Sequence, residues 1–84
     1  EMVKAKIDLD PTWDVDALLD GFATRQAAHT PLTVDGVKLD LAEGWVHLRK
    51  SNTEPIVRVY AEAASPEAAL NLVDTYKKDL LSGA

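Results

Sequence analysis

The sequence predicts an α+β domain in which two helices cover one face of an antiparallel sheet. Three observations support this fold class. Short segments with alternating apolar and polar residues recur along the chain, two other segments have helical spacing, and tight turns separate the central segments. Because tight turns join neighbouring strands that run in opposite directions, the central strands are expected to form a meander. The expected order of elements is βαββββα.

The first strand and the first helix lie at the amino end of the chain. Apolar residues alternate over residues 3–9, which is typical of a strand with one buried face. Either Asp10 or Thr12 can cap the helix that follows. Apolar residues at i, i+3, i+4 and i+7 predict an amphipathic helix over about residues 13–28. The residues with this spacing are Val15, Leu18, Leu19 and Phe22.

Four short strands are expected between the two helices. Leu32 and Val34 come before Asp35-Gly36, a dipeptide typical of the two-residue type I′ hairpin turn, in which both positions need a positive φ. The three alternating segments that follow span residues 37–42, 45–49 and 56–63.

The second helix has clear signals at both ends. Ser65 is a preferred N-cap residue, and Pro66 suits the first helical position. Apolar residues keep helical spacing over residues 69–80, and Gly83 is a suitable stop. We expect this helix to pack on the same face of the sheet as the first helix.

Length and composition exclude several classes of protein. A chain of 84 residues is expected to be a single domain, residues 1–84, and the absence of cysteine excludes disulfides and thiol chemistry. The net charge of −5 disfavours a broad nucleic-acid or anionic-membrane surface, because such surfaces depend on lysine and arginine. No apolar run approaches the roughly 20 residues that span a bilayer, and no secretory leader is present. We therefore expect a cytoplasmic location. Because position 1 is not methionine, we also expect a fragment of a longer protein.

The candidate functional site is the polar loop of residues 49–55, Arg-Lys-Ser-Asn-Thr-Glu-Pro. Arg49 can bind two oxygens of a phosphate at once, and Ser51 and Thr53 can each donate one O–H. The backbone N–H groups of the turn can converge on the same anion. This set predicts a phosphate site. The alternative is a loop that only joins two strands of a hairpin.

The pattern Arg-x-Ser-Asn-Thr-x-Pro, followed by a strand reading Ile/Val-x-Arg-x-Tyr/Phe-x-Glu, resembles the phosphate-binding loop of the α-D-phosphohexomutases. In these phosphomannomutase/phosphoglucomutase enzymes the loop lies in the last domain. The resemblance covers residues 35–81 and extends more loosely back to Val3. It implies that residues 1–84 are the C-terminal domain of a larger enzyme, with a fold similar to that of the TATA-box-binding protein. The phosphate ligands that it implies are Arg49, Ser51, Asn52 and Thr53.

The resemblance also implies which parts this domain lacks. In the family the phosphoserine and the magnesium-binding aspartates belong to earlier domains. We therefore expect no catalytic residue, metal or other cofactor in this domain, magnesium in the parent enzyme, and no activity from the fragment alone. The expected role is to clamp the non-reacting phosphate of a hexose phosphate during intramolecular phosphoryl transfer. The expected partners are that substrate and the remaining domains, with no nucleic acid and no membrane.

Three further residues are candidates for a supporting role. Arg58 can add charge or brace the loop, and Glu54 can pair with an arginine or remain a solvated charge. His47 shares a strand face with Arg49, where it is either near the phosphate or a half-exposed sheet residue.

Asn52 stands where glucosamine-type enzymes usually have glycine, which favours a phosphomannomutase or phosphoglucomutase. The competing hypothesis is a free-standing small-molecule-binding or interaction module without catalysis.

Overall fold

The computed structural model describes residues 2–84 and contains one four-stranded antiparallel sheet and two α-helices. The elements are β1 (Met2–Asp8), α1 (Val15–Arg25), a short 3₁₀ helix (Ala27–His29), β2 (Val37–Leu41), β3 (Gly44–Lys50), β4 (Ile56–Ala63) and α2 (Pro66–Leu81). The strands lie in the order β1-β4-β3-β2, and each pair of neighbours is antiparallel. The predicted α+β class is confirmed.

Helix α1 begins later than the sequence indicates. Its N-cap is Asp14, whose carboxylate accepts a hydrogen bond from the N–H of Ala17 at 3.1 Å. The two predicted caps instead close the preceding turn, where Asp10 accepts from the hydroxyl of Thr12 at 2.6 Å and from its N–H at 2.8 Å. These hydrogen bonds, the hydroxyl's first, hold the pKa of Asp10 below its usual value.

Helix α1 also ends earlier than predicted. The α-helix ends at Arg25 with Gln26 as its C-cap, and the 3₁₀ helix Ala27–His29 completes the segment. Thr30 then adopts a left-handed conformation with φ of 46°. Pro31 follows, and its ring and missing N–H do not allow the helix to continue.

The turn at Asp35-Gly36 is not the predicted two-residue hairpin. Leu32 and Lys38 exchange two backbone hydrogen bonds of 2.9 Å as an isolated bridge, so five residues separate the partners. A type I′ turn needs positive φ at both central positions, and only the glycine, with φ of 75°, has it. The four β segments expected between the helices are therefore three strands and one bridge.

One face of the sheet packs on the two helices and forms the core. Its largest fully buried side chains are Phe22, Ile7, Leu39, Leu48, Leu80, Val46, Val57 and Val59. Phe22 of α1 meets Tyr76 of α2 edge to face, with ring centroids 6.1 Å apart. The predicted cap of α2 is confirmed, since Ser65 accepts from the N–H of Ala68 at 3.1 Å. In the described part of the chain, neither helix is both long and apolar enough to cross a membrane.

The other side of the sheet, here called the open face, carries mainly polar and aromatic side chains and no helix among residues 2–84. Strand pairing arranges its residues in rows that cross the sheet. Two of these rows are Lys6–Arg58–Arg49 and Lys4–Tyr60–His47–Lys38. The remaining members of the open face are Met2, Asp8, Asp40, Trp45, Ile56 and Glu62.

Candidate functional site

The polar loop lies at the end of the sheet where β3 passes into β4. Two backbone hydrogen bonds hold its exit. The N–H of Ile56 donates to the carbonyl of Glu54 at 2.8 Å, and the N–H of Leu9 donates to the carbonyl of Pro55 at 2.9 Å. The second bond joins the loop to the segment after β1, so that segment helps to position the loop.

The first half of the loop presents hydrogen-bond donors that are free to bind a ligand. The backbone N–H groups of Asn52 and Glu54, and the carboxamide of Asn52, have no acceptor within residues 2–84. Ser51 Oγ and Thr53 Oγ1 lie 3.5 Å apart, and the N–H of Thr53 lies 3.4 Å from Ser51 Oγ. Such long internal contacts are weak, so an anion can replace them with shorter bonds.

Arg49 lies on the open face of β3 at the start of the loop, and its side chain already forms an ion pair with a carboxylate. Its Nη2 lies 3.0 Å from Asp35 Oδ2, and the two side chains are 46% and 66% exposed. An ion pair this exposed contributes only about 0–1 kcal/mol. A guanidinium has five N–H donors, so Arg49 can contact a phosphate beside the carboxylate or in its place. No local pattern in the sequence indicates this pair, because Asp35 lies in a turn well before Arg49 along the chain.

The segment that carries Asp35 is held against β3. The Nε2–H of His47 donates to the backbone oxygen of Asp35, and the His47 ring also lies against Tyr60 with centroids 6.4 Å apart. Gly36 approaches the strand so closely that a Cβ there would overlap the carbonyl oxygen of Leu48. His47 therefore holds the neighbouring segment and is already hydrogen-bonded through Nε2.

The other charged residues near the loop point in different directions. Lys50 follows Arg49 on the strand and so lies on the opposite face, where its Nζ is 3.0 Å from Asp16 Oδ1 of α1. Arg58 lies directly opposite Arg49 on the open face. Glu54 forms no ion pair in the described part of the chain, so it is a solvated loop charge.

A surface cavity of about 480 Å³ adjoins the loop, in the size range of small-molecule sites. Its cationic and amide side is Arg49, Lys50 and Asn52, and its acidic side is Asp16, Asp20 and Asp35. This arrangement suits a ligand with an anionic end and a body rich in hydrogen-bond donors. No three His, Asp or Glu side chains within residues 2–84 are grouped to hold a metal ion. The resemblance places the magnesium-binding aspartates in other domains, so magnesium in the parent enzyme stays a prediction.

Comparison with known proteins identifies the family to which the chain belongs. Residues 3–78 match the family described as phosphoglucomutase/phosphomannomutase, C-terminal domain. The chain is 40% identical over 81 residues to a phosphoglucosamine/phosphogalactosamine mutase of Sulfurisphaera tokodaii, covering 92% of this chain and 17% of that protein.

Two further relatives match a shorter part. A probable phosphoglucosamine mutase of Methanopyrus kandleri is 50% identical over 44 residues, 52% of this chain and 10% of that protein. A phosphoglucomutase/phosphomannomutase of Thermococcus kodakarensis is 51% identical over 37 residues, 44% of this chain and 8% of that protein. These names include both kinds of enzyme, so the preference drawn from Asn52 stays a prediction. The chain spans about a sixth or less of the length of these relatives, and it belongs to the family of phosphohexomutase C-terminal domains.

Proposed function

We propose that this chain is the phosphate-clamping domain of a phosphohexomutase, an isomerase that moves a phosphoryl group within a hexose phosphate. The loop holds the phosphate that is not being transferred. The observation that carries this function is the group of free donors in one loop, namely the N–H groups of Asn52 and Glu54 beside two hydroxyls and Arg49. Membership of a family of C-terminal domains favours this function over a free-standing binding module.

The clamp recognises phosphate and makes few demands on the sugar. All of its donors lie within residues 49–54, so a hexose phosphate can bind through the phosphate at either end. An enzyme that adds a phosphoryl group at one end of the sugar and removes one from the other must bind both orientations. Fixing the remote phosphate supplies binding energy that orients the reacting end.

The chain itself does not carry out the transfer in this proposal. Ser51 Oγ contacts only Thr53 within residues 2–84, so no general base is present to activate it. The nucleophile and the magnesium that the resemblance implies would come from other domains. On this basis the isolated chain binds sugar phosphates without converting them.

The test is a titration of the ¹⁵N-labelled chain followed by amide chemical shifts. We expect inorganic phosphate and glucose 1-phosphate to move the signals of Ser51, Asn52 and Thr53 with a Kd of about 1 mM, equivalent to about 4 kcal/mol. Unphosphorylated glucose should move none of them. Arg49→Gln should weaken phosphate binding at least tenfold, because charge-assisted hydrogen bonds contribute about 1.5–3 kcal/mol.

The matched control is Lys77→Gln, which removes one positive charge from the exposed side of α2. It should leave phosphate binding unchanged within about a factor of two, a change of only a few tenths of a kcal/mol. The proposed function is refuted if phosphate and the sugar phosphate leave the loop signals unmoved, or if glucose alone moves them.

A further inference from the structure

A row of three cations crosses the open face beside the loop. Arg49 of β3 lies directly opposite Arg58 of β4, and Arg58 lies directly opposite Lys6 of β1. Neighbouring strands lie about 4.8 Å apart, so the row is about 10 Å wide at the backbone. All three side chains are exposed. The row therefore continues the cationic surface from the loop across the sheet.

Two members of this row have no counter-charge. Arg49 is paired with Asp35, whereas Arg58 and Lys6 form no ion pair within residues 2–84. Asp8 lies on the same face of β1, two residues beyond Lys6, and pairs with neither of them. The free cations are thus available to an external anion.

Like charges in this row repel each other, and a bound anion would remove the repulsion. Like charges on directly opposite residues destabilise an antiparallel pair, and Arg49 and Arg58 occupy such positions. In a chain of net charge −5, the open face holds five of the nine lysine and arginine residues and only three of the described acidic residues. Positive charge is therefore concentrated on the open face.

We propose that Arg58 and Lys6 form a second anion subsite, which takes the other phosphoryl group of a bisphosphorylated hexose while the loop holds the first. This inference rests on the proposed function. The guanidinium of Arg58 can bind two phosphate oxygens, and Lys6 adds a point charge next to it. Binding of the second phosphoryl group is then intramolecular, which strengthens the complex without changing the first contact.

Such a subsite has a role in the proposed reaction. Addition of a phosphoryl group at one end of the sugar before removal from the other makes a bisphosphate intermediate. That intermediate must turn around before its second phosphoryl group can be removed. A domain with two anion subsites keeps one phosphoryl group bound while the other is released, so the intermediate can turn without leaving, whereas a single clamp retains it less well.

The test compares the binding of glucose 6-phosphate and glucose 1,6-bisphosphate to the chain by calorimetry and amide shifts. We expect the bisphosphate to bind at least about tenfold more tightly than the monophosphate. In the double variant Lys6→Gln/Arg58→Gln this ratio should fall to about two or less. The monophosphate Kd should change less than about threefold, because the loop ligands are intact.

The control is Lys77→Gln/Lys78→Gln, which removes the same charge from α2. It should keep the tenfold ratio, and the urea midpoints of both double variants should stay within about 1 M of the parent chain, since the altered side chains are exposed and make only weak charge contacts. Equal affinities for the two ligands in the parent chain would overturn the subsite and leave the phosphate clamp standing. A ratio that survives in Lys6→Gln/Arg58→Gln would also overturn it. If neither ligand moved the loop signals, the proposed function would fail as well.

Discussion

The substitution Gly36→Ala tests how the segment beside Arg49 is held. Gly36 has φ of 75°, and a Cβ at this position would overlap the backbone of β3 at Leu48 and approach the Cα of Arg49 to 3.1 Å. The obstructing atoms are backbone atoms of a central strand, so they cannot rotate away. The segment that contains Gly36 must therefore move away from β3, or β3 must distort.

The expected loss of stability follows from two contributions. The left-handed conformation costs a residue with a Cβ about 1–2 kcal/mol relative to glycine. Displacement of the segment adds further strain and loosens the contacts of Asp35 with Arg49 and His47, for a total of about 2–3 kcal/mol. With a slope of about 1 kcal/mol per M for a small domain, the urea midpoint should fall by about 2–3 M.

The matched control is Gly21→Ala in helix α1, the same change with the opposite expected sign. The nearest atom to a Cβ there is Arg25 Nη1 at 3.3 Å, the end of a long side chain that has to shift by only a few tenths of an ångström. Alanine favours a helix over glycine by up to about 1 kcal/mol, so this variant should be slightly more stable. Urea unfolding followed by circular dichroism measures both. A Gly36→Ala protein as stable as the parent would refute the close packing of this segment on β3.

Three other outcomes are expected. Asp35→Asn removes the carboxylate that competes for Arg49, so the Kd for inorganic phosphate should fall severalfold in calorimetry. The free energy of unfolding should change by at most about 1 kcal/mol. A higher Kd would show instead that Asp35 positions the arginine. Ser65→Ala removes the N-cap of α2 and should cost about 1 kcal/mol in urea unfolding, and an unchanged midpoint would contradict that cap. Burial first, then Glu43 and Asp79, raises the pKa of Tyr76. The folded protein thus holds the phenolic proton more tightly than the unfolded chain, so stability should be full below pH of about 10 and decline as pH rises through the folded pKa. Absorbance at high pH should show one late-titrating tyrosine that Tyr76→Phe removes.

Much of the fold could be predicted because its signals are local. Alternation identified strands β2, β3 and β4, and the serine and proline at residues 65 and 66 identified the start of α2. The errors arose where several local choices competed. Asp10, Thr12 and Asp14 are all good caps, and only the folded turn shows that the third is used. Asp35-Gly36 is a good hairpin dipeptide, but packing against β3 sets a longer loop.

The candidate site divides in the same way. Its donors are consecutive residues, so their chemistry is visible as a short pattern in the sequence. The carboxylates that hold its two cations are not local, because Asp35 lies 14 positions before Arg49 and Asp16 lies 34 positions before Lys50. Only the sheet and the position of α1 bring these partners together, and no spacing rule connects them.

The order of strands has a consequence for how the site forms during folding. Strands β2, β3 and β4 are successive hairpin partners, but β1 pairs with β4, so Met2 lies opposite Glu62, 60 positions away in the sequence. Contacts between residues far apart in sequence form slowly, because a long segment must close before any bond is gained. The bond from Leu9 to Pro55 belongs to this late pairing. We therefore expect the loop to gain its final shape in one of the last steps of folding, and the ligand to bind only after the amino end has docked.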